Sequence, residues 1–102
     1  MDKDKFLAQS KLFGYRENSL DIFAKAIDLI EDELKDKKRI SGDTFFEHNL
    51  RIGLILVENK SVHEVVLAGL FHGHLSDPTL NVVREQFGKE VSISLQSEDD
   101  EE

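Results

Sequence analysis

The chain has no cysteine and only one proline among its 102 residues. Without cysteine there can be no disulfide, no thiolate zinc site and no cysteine nucleophile. The longest apolar run is only a few residues, too short to cross a membrane, and the N-terminal MDKDKF has no apolar stretch of the kind found in signal peptides. These absences predict a cytoplasmic protein that does not interact with a membrane.

Basic residues are also scarce relative to acidic ones, and the net charge is −8. The last five residues, 98–102, are all acidic. An acidic surface repels phosphate backbones, so we expect no nucleic-acid partner, although a single nucleotide in a local pocket is compatible with this charge. We predict one domain over residues 1–95 and a disordered acidic tail over 96–102. A contact between this tail and a basic partner is the alternative.

The hydrophobic pattern predicts an all-α fold, because strand-like alternation of any length and internal repeats are both missing. Asn18 or Ser19 is expected to cap the second helix, and Asp43 the third. The fourth segment is apolar almost all round, which predicts a central, buried helix ending before Pro78. Residues 89–96, KEVSISLQ, fit either a helix start or an extended end. The predicted helices cover residues 3–14, 18–38, 44–59, 62–75 and 79–88.

Two of the four histidines occupy apolar helical stripes. His48 shares its stripe with isoleucines four and seven residues later, and His72 shares one with Val65 and Ala68. Both are therefore expected to point inward and could meet, as two neutral imidazoles that would be good divalent-metal ligands. The alternative is that each is a core histidine with a hydrogen-bond partner. The other two histidines are expected at the surface or at helix ends.

Three stretches in order, KRISGDTFFEH, LAGLFHGHLSDPTL and VREQFGKEV, resemble the hydrolase domain of the RelA/SpoT family. These enzymes belong to the histidine–aspartate (HD) superfamily of metal phosphohydrolases. The resemblance runs from about residue 18 to 95. It implies an HD-like bundle of about five to six helices and, for an intact site, manganese-dependent removal of pyrophosphate from the 3′ position of guanosine tetra- or pentaphosphate.

By the same resemblance, His48 and His72 match the two metal-binding histidines. Gly73 stands where the metal-binding aspartate belongs, Ser76 stands where a glutamate belongs, and Asp77 matches the aspartate after it as a vestigial catalytic residue. The family's downstream metal-binding aspartate has no counterpart in this sequence. The resemblance therefore implies an incomplete metal site, with no cofactor expected, or manganese if the site functions.

The loop before His48 also matches the family in part. Arg39, Ser41 and Gly42 match, whereas Ile40 replaces a basic residue and Asn49 replaces the proline that commonly follows the histidine. Arg39 and Ser41 are thus candidate nucleotide-binding residues. The alternative is that this loop is only a turn followed by a helix cap.

These residues predict a catalytically inactive module that acts by protein contact, by self-association or by weak binding of a guanine nucleotide. Because the family's fold continues beyond the matched region, we expect an exposed apolar face that a protein partner or a second copy covers. One alternative is a working metal-dependent guanosine-3′,5′-bis(diphosphate) 3′-pyrophosphohydrolase, or a related HD phosphohydrolase, with an unconventional third ligand. Another is an unrelated small helical protein.

Overall fold

The computed structural model of the chain describes residues 1–73 and 75–88. Within those ranges it contains five α-helices and no strand, which confirms the prediction of an all-helical bundle. No helix in these ranges is long and apolar enough to cross a membrane. The undecided KEVSISLQ stretch, the predicted tail and His74 lie outside the described residues. The helices are α1 (Lys3–Leu12), α2 (Glu17–Leu34), α3 (Phe45–Glu58), α4 (His63–Leu70) and α5 (Asp77–Phe87).

The core is one hydrophobic cluster to which all five helices contribute. On α2, Phe23, Ile27 and Ile30 are fully buried, as the three- and four-residue spacing of its apolar residues predicts. Phe6 of α1 packs edge-on against Phe23, with 5.9 Å between the ring centroids. A geometry of this kind stabilises aromatic pairs beyond the area that they bury.

Two buried glycines, Gly53 and Gly69, let α3 and α4 pack closely. A Cβ atom added to Gly69 would lie 2.5 Å from Leu56 Cδ1 and 3.6 Å from the Cα atom of Gly53. Glycine in a helix interior costs about 1 kcal/mol relative to alanine, so the close packing offsets a real propensity penalty. The α3–α4 pair carries His48, and His72 follows directly after it.

The predicted helix caps are wrong at two positions. Helix α2 begins after Arg16, whose side chain makes no cap hydrogen bond, rather than after Asn18 or Ser19. The N-cap of α3 is Thr44 and not Asp43, because the Thr44 hydroxyl accepts the amide hydrogen bond three residues later. The carboxylate of Asp43 instead accepts from Ser41 and Arg39 of the preceding loop and from Arg51 of α3.

The fourth helix is shorter and less buried than predicted. It ends at Leu70, and Gly73 has φ +58°, a left-handed conformation that an α-helix cannot contain. Its first turns also expose apolar residues, because Val62 is 63% exposed and Val65 43% exposed. The prediction of a helix over 62–75, buried on every side, is therefore wrong at both ends. Apolar composition alone does not report which face of a helix another element covers.

Candidate functional site

The structure brings His48 and His72 together, with ring centroids 6.2 Å apart and the rings inclined at 60°. His48 lies in the first turn of α3, whereas His72 lies beyond the end of α4. The orientation of the His72 ring is therefore set by a turn and not by a helix. The stripe of His48 is also partly exposed, because Ile55 is 56% exposed. Both histidines are half-buried at the edge of the core. Their proximity is thus observed, while their role as metal ligands stays a prediction.

Asn49 holds the turn that carries His72, and the sequence analysis missed this role. Its side chain is fully buried, and Nδ2 donates to the carbonyl oxygens of Leu70 and His72, both at 2.9 Å. A detectable signal existed, because Asn49 shares a four-residue spacing with Gly53 and Val57, which are both buried. A buried amide needs partners, and here they are the carbonyl of Leu70, the last residue of α4, and that of His72 beyond it.

The two predicted nucleotide-binding residues, Arg39 and Ser41, both donate hydrogen bonds to the carboxylate of Asp43. Its Oδ1 accepts from the Ser41 hydroxyl at 2.5 Å, and its Oδ2 accepts from Arg39 at 3.3 Å and also from Arg51 of α3. The Ser41 hydrogen bond is the largest influence and, with Arg51 and Arg39, lowers the pKa of Asp43 to about 2, although partial desolvation opposes the change. Arg39 and Ser41 therefore both contact an internal carboxylate.

The backbone of this loop closes on itself independently of the side chains. The amide of Arg39 donates to the carbonyl of Asp43 at 2.7 Å, and the amide of Gly42 donates to the carbonyl of Arg39 at 2.9 Å. Gly42 has φ +100°, which favours glycine at this turn. Beside the turn lies an open pocket of about 420 Å³, lined by Arg39, Ile40, Ser41 and Phe45.

The surroundings of His48 are positively charged. Burial lowers the pKa of His48, and the neighbouring Arg39, His72 and Arg51 lower it further, while Asp43 acts in the opposite direction. The lowered pKa favours the neutral form of the imidazole. Neutral imidazole can bind a metal ion, but two nearby guanidinium groups disfavour a divalent cation at the same place.

Gly73, Ser76 and Asp77, which match acidic positions of the RelA/SpoT family, do not form an acidic site in this structure. Gly73 has no side chain, Ser76 is the N-cap of α5, and Asp77 is exposed in the first turn of that helix. Within residues 1–73 and 75–88, no group of three or more histidine, aspartate, glutamate or cysteine residues could hold a metal ion. Manganese prefers several oxygen ligands, and a histidine pair beside two arginines does not fit it.

A carboxylate that the sequence analysis overlooked, Glu33 of α2, contacts the start of α5. Its Oε1 accepts from the backbone amide of Ser76 at 2.7 Å. Burial would raise the pKa of Glu33, but hydrogen bonds from Ser76 and Thr79 and the charge of Lys37 lower it overall. The two residues are 43 positions apart, and no local spacing pattern indicates such a contact. Glu33 thus binds the N-terminus of α5, where a negative charge is favourable.

Two curated proteins are similar to the chain. A guanosine-3′,5′-bis(diphosphate) 3′-pyrophosphohydrolase of Aquifex aeolicus is 27% identical over 84 residues, covering 80% of this chain and 12% of that enzyme. A probable enzyme of the same name from Mycoplasma pneumoniae is 36% identical over 73 residues, covering 70% of this chain and 10% of that enzyme. The chain is related to a segment of these RelA/SpoT-type hydrolases.

This relationship is limited to a small part of each hydrolase, because the chain spans about a tenth of the length of either relative. No family model matches the chain, and no solved structure matches it. The similarity therefore supports a hydrolase-related helical segment.

Proposed function

We propose that this hydrolase-related module does not hydrolyse nucleotides and that it binds a guanine nucleotide weakly through Arg39 and Ser41. The observation that supports the first part is the composition of the site. His48 and His72 lie together, but the neighbouring Gly73 has no carboxylate and a left-handed backbone. The loop residues that match the family support the second part, since Arg39 and Ser41 line an open pocket.

The proposed loss of hydrolysis follows from the two roles of a metal ion in phosphate hydrolysis. The cation lowers the pKa of a bound water and neutralises charge that develops on the phosphate. Two imidazoles would hold such a hard cation weakly. Ser76 cannot act as a general base near neutral pH, and Asp77 is exposed on a separate helix from His48. Neither residue therefore replaces the missing acids.

Incubation with manganese and guanosine tetraphosphate tests the first part, with release of pyrophosphate as the readout. We expect no release above the protein-free rate. Turnover that His72→Ala abolishes would refute the proposal and favour the alternative, a metal-dependent 3′-pyrophosphohydrolase with an unconventional third ligand. Calorimetric manganese binding tighter than about 1 μM, roughly −8 kcal/mol, would also contradict an incomplete site.

Restoring the single acid should not restore activity. Gly73→Asp places a carboxylate beside His72, but it leaves Ser76 unchanged. Aspartate tolerates left-handed backbone at a cost of roughly 1 kcal/mol, but Gly73 is buried, so a circular dichroism melt first checks that the variant folds. Gly73→Asn is the matched control, with the same shape and no charge. Hydrolysis by Gly73→Asp that Gly73→Asn lacks would show that one carboxylate suffices, contrary to the proposal.

A second function, contact with another copy of the chain, is favoured by exposed apolar side chains. Ile55 on α3 is 56% exposed, and Val62 and Val65 at the start of α4 are 63% and 43% exposed. Covering such residues would remove apolar surface from water. We expect a concentration-dependent dimer in sedimentation, and Val65→Glu should weaken it. A monomer at every concentration would exclude self-association.

A further inference from the structure

Three donors from two different elements converge on the carboxylate of Asp43. Ser41 and Arg39 belong to the loop before α3, and Arg51 comes from the second turn of α3. Two guanidinium groups and a hydroxyl directed at two adjacent oxygens are the donor set that proteins use for phosphate groups. In this structure the carboxylate of Asp43 accepts from all three of these donors.

The local charge favours an anion even with Asp43 in place. The two arginines carry two positive charges against the single negative charge of Asp43, in a chain whose net charge is −8. The same two arginines also act electrostatically on His48. A divalent cation would be repelled here, whereas a phosphate oxygen would be attracted.

Backbone hydrogen bonds close the loop without the help of the Asp43 carboxylate. The turn is closed by backbone hydrogen bonds, and the amide of Phe45 adds a further one to the carbonyl of Lys37 at 2.8 Å. The donors are also accessible, because the side chains of Arg39 and Arg51 are 34% and 52% exposed. A ligand can therefore reach both guanidinium groups from solvent.

We propose that Arg39, Ser41 and Arg51 form a metal-independent site for a phosphate or pyrophosphate group, and that the carboxylate of Asp43 occupies this site when no ligand is bound. The inference rests on the proposed function in one respect, because it assigns the pyrophosphate moiety of the nucleotide to this site. Arg51 joins Arg39 and Ser41 as a binding residue, and no metal ion is needed. The carboxylate of Asp43 competes with the ligand for the same donors.

Calorimetry with inorganic pyrophosphate, in EDTA and at low salt, tests the site directly. Asp43→Asn removes the competing charge while it keeps the side-chain shape, so the affinity should rise about tenfold. Arg51→Ala should lower the affinity by a similar factor. The matched controls are Asp21→Asn for Asp43→Asn and Arg16→Ala for Arg51→Ala, because each makes the same charge change at an exposed position elsewhere. We expect their pyrophosphate affinities to lie within about twofold of the wild type.

A second measurement needs no variant. In the wild type, the carbon resonance of the Asp43 carboxyl group should move on addition of pyrophosphate, because the carboxylate leaves its three donors. An unchanged resonance at saturation would overturn the displacement. An affinity of Asp43→Asn equal to or below that of the wild type, with an unchanged circular dichroism spectrum, would also overturn it, since the carboxylate would then organise the arginines.

Titration with guanosine tetraphosphate separates this inference from the proposed function. If pyrophosphate binds as expected but the nucleotide binds no more tightly, the guanine-binding part of the proposed function fails and the anion site stands. If the nucleotide binds but neither Arg51→Ala nor Asp43→Asn changes its affinity, the anion site is refuted and nucleotide binding stands.

Discussion

Asn49→Ala should destabilise the protein strongly, because one buried amide group supplies two hydrogen bonds. Nδ2 donates to the carbonyls of Leu70 and His72, both at 2.9 Å. An unsatisfied buried group costs about 1–3 kcal/mol, and the contact with Leu70 is the more buried of the two. The substitution also removes Oδ1, which is buried and has no partner among the described residues, so about 1 kcal/mol is regained.

The balance is a loss of about 1–5 kcal/mol from a total stability that is typically 5–15 kcal/mol. For a domain of this size the melting temperature should fall by roughly 5–30 °C. Urea unfolding followed by circular dichroism measures the loss. Asn59→Ala is the control, because the side chain of Asn59 makes one exposed hydrogen bond, to the carbonyl of Ile55, and the expected change is within about 0.5 kcal/mol.

The reasoning on Asn49 would be refuted by a loss below about 1 kcal/mol with an unchanged denaturant slope. Such a result would mean that the Leu70 and His72 carbonyls find other partners, so that the turn does not depend on the amide. A loss of equal size in Asn59→Ala would also count against it, since burial would then not be the cause.

Three further changes have defined outcomes. Burial, and then Arg39, lower the pKa of His48 in the folded protein. The stability that depends on neutral His48 is therefore fully present above pH 6.5, its ordinary pKa, and is lost as the pH falls toward the folded pKa. Urea midpoints at about pH 7 and pH 5 should therefore differ less in His48→Gln than in the wild type, and an equal difference would contradict this. Ser41→Ala should raise the pKa of Asp43 from about 2 toward 3.8, measured by carbon NMR, and an unchanged pKa would show that the hydroxyl is unimportant. Gly69→Ala should cost up to about 2 kcal/mol in thermal unfolding, because its Cβ atom would lie 2.5 Å from Leu56 Cδ1 and the gain in helix propensity offsets only part of this overpacking. A stabilised variant would show that Leu56 moves aside easily.

Periodicity predicts the helical class and the buried face of α2 because both depend on local spacing. Gly14 and Gly88 mark helix ends in the sequence, and both have left-handed or related positive φ values in the structure. The end of α4 could not be predicted in this way. The sequence continues apolar to Leu75, and the helix stops where Asn49, more than twenty residues earlier, binds the carbonyls of Leu70 and His72.

Sequence reasoning identified the residue types of the candidate site but not the contacts that position them. The sequence predicts that His48 and His72 can meet, but it places His72 on a helix, whereas the structure places it in the turn after α4. The role of Asp43 was missed because an aspartate before a helix usually caps it, and Thr44 competes for that role here. Metal binding, partners, the acidic tail and a cytoplasmic location stay predictions.

The hydroxyl of Tyr15 donates to the carbonyl of Ser61 at 2.5 Å, and its ring packs against Phe23 with centroids 5.4 Å apart. It therefore joins the α1–α2 connection to the turn between α3 and α4. Tyr15 is the only tyrosine in a sequence without tryptophan. Its ultraviolet fluorescence is consequently a built-in optical probe, which reports when the first helical hairpin separates from the second without any label.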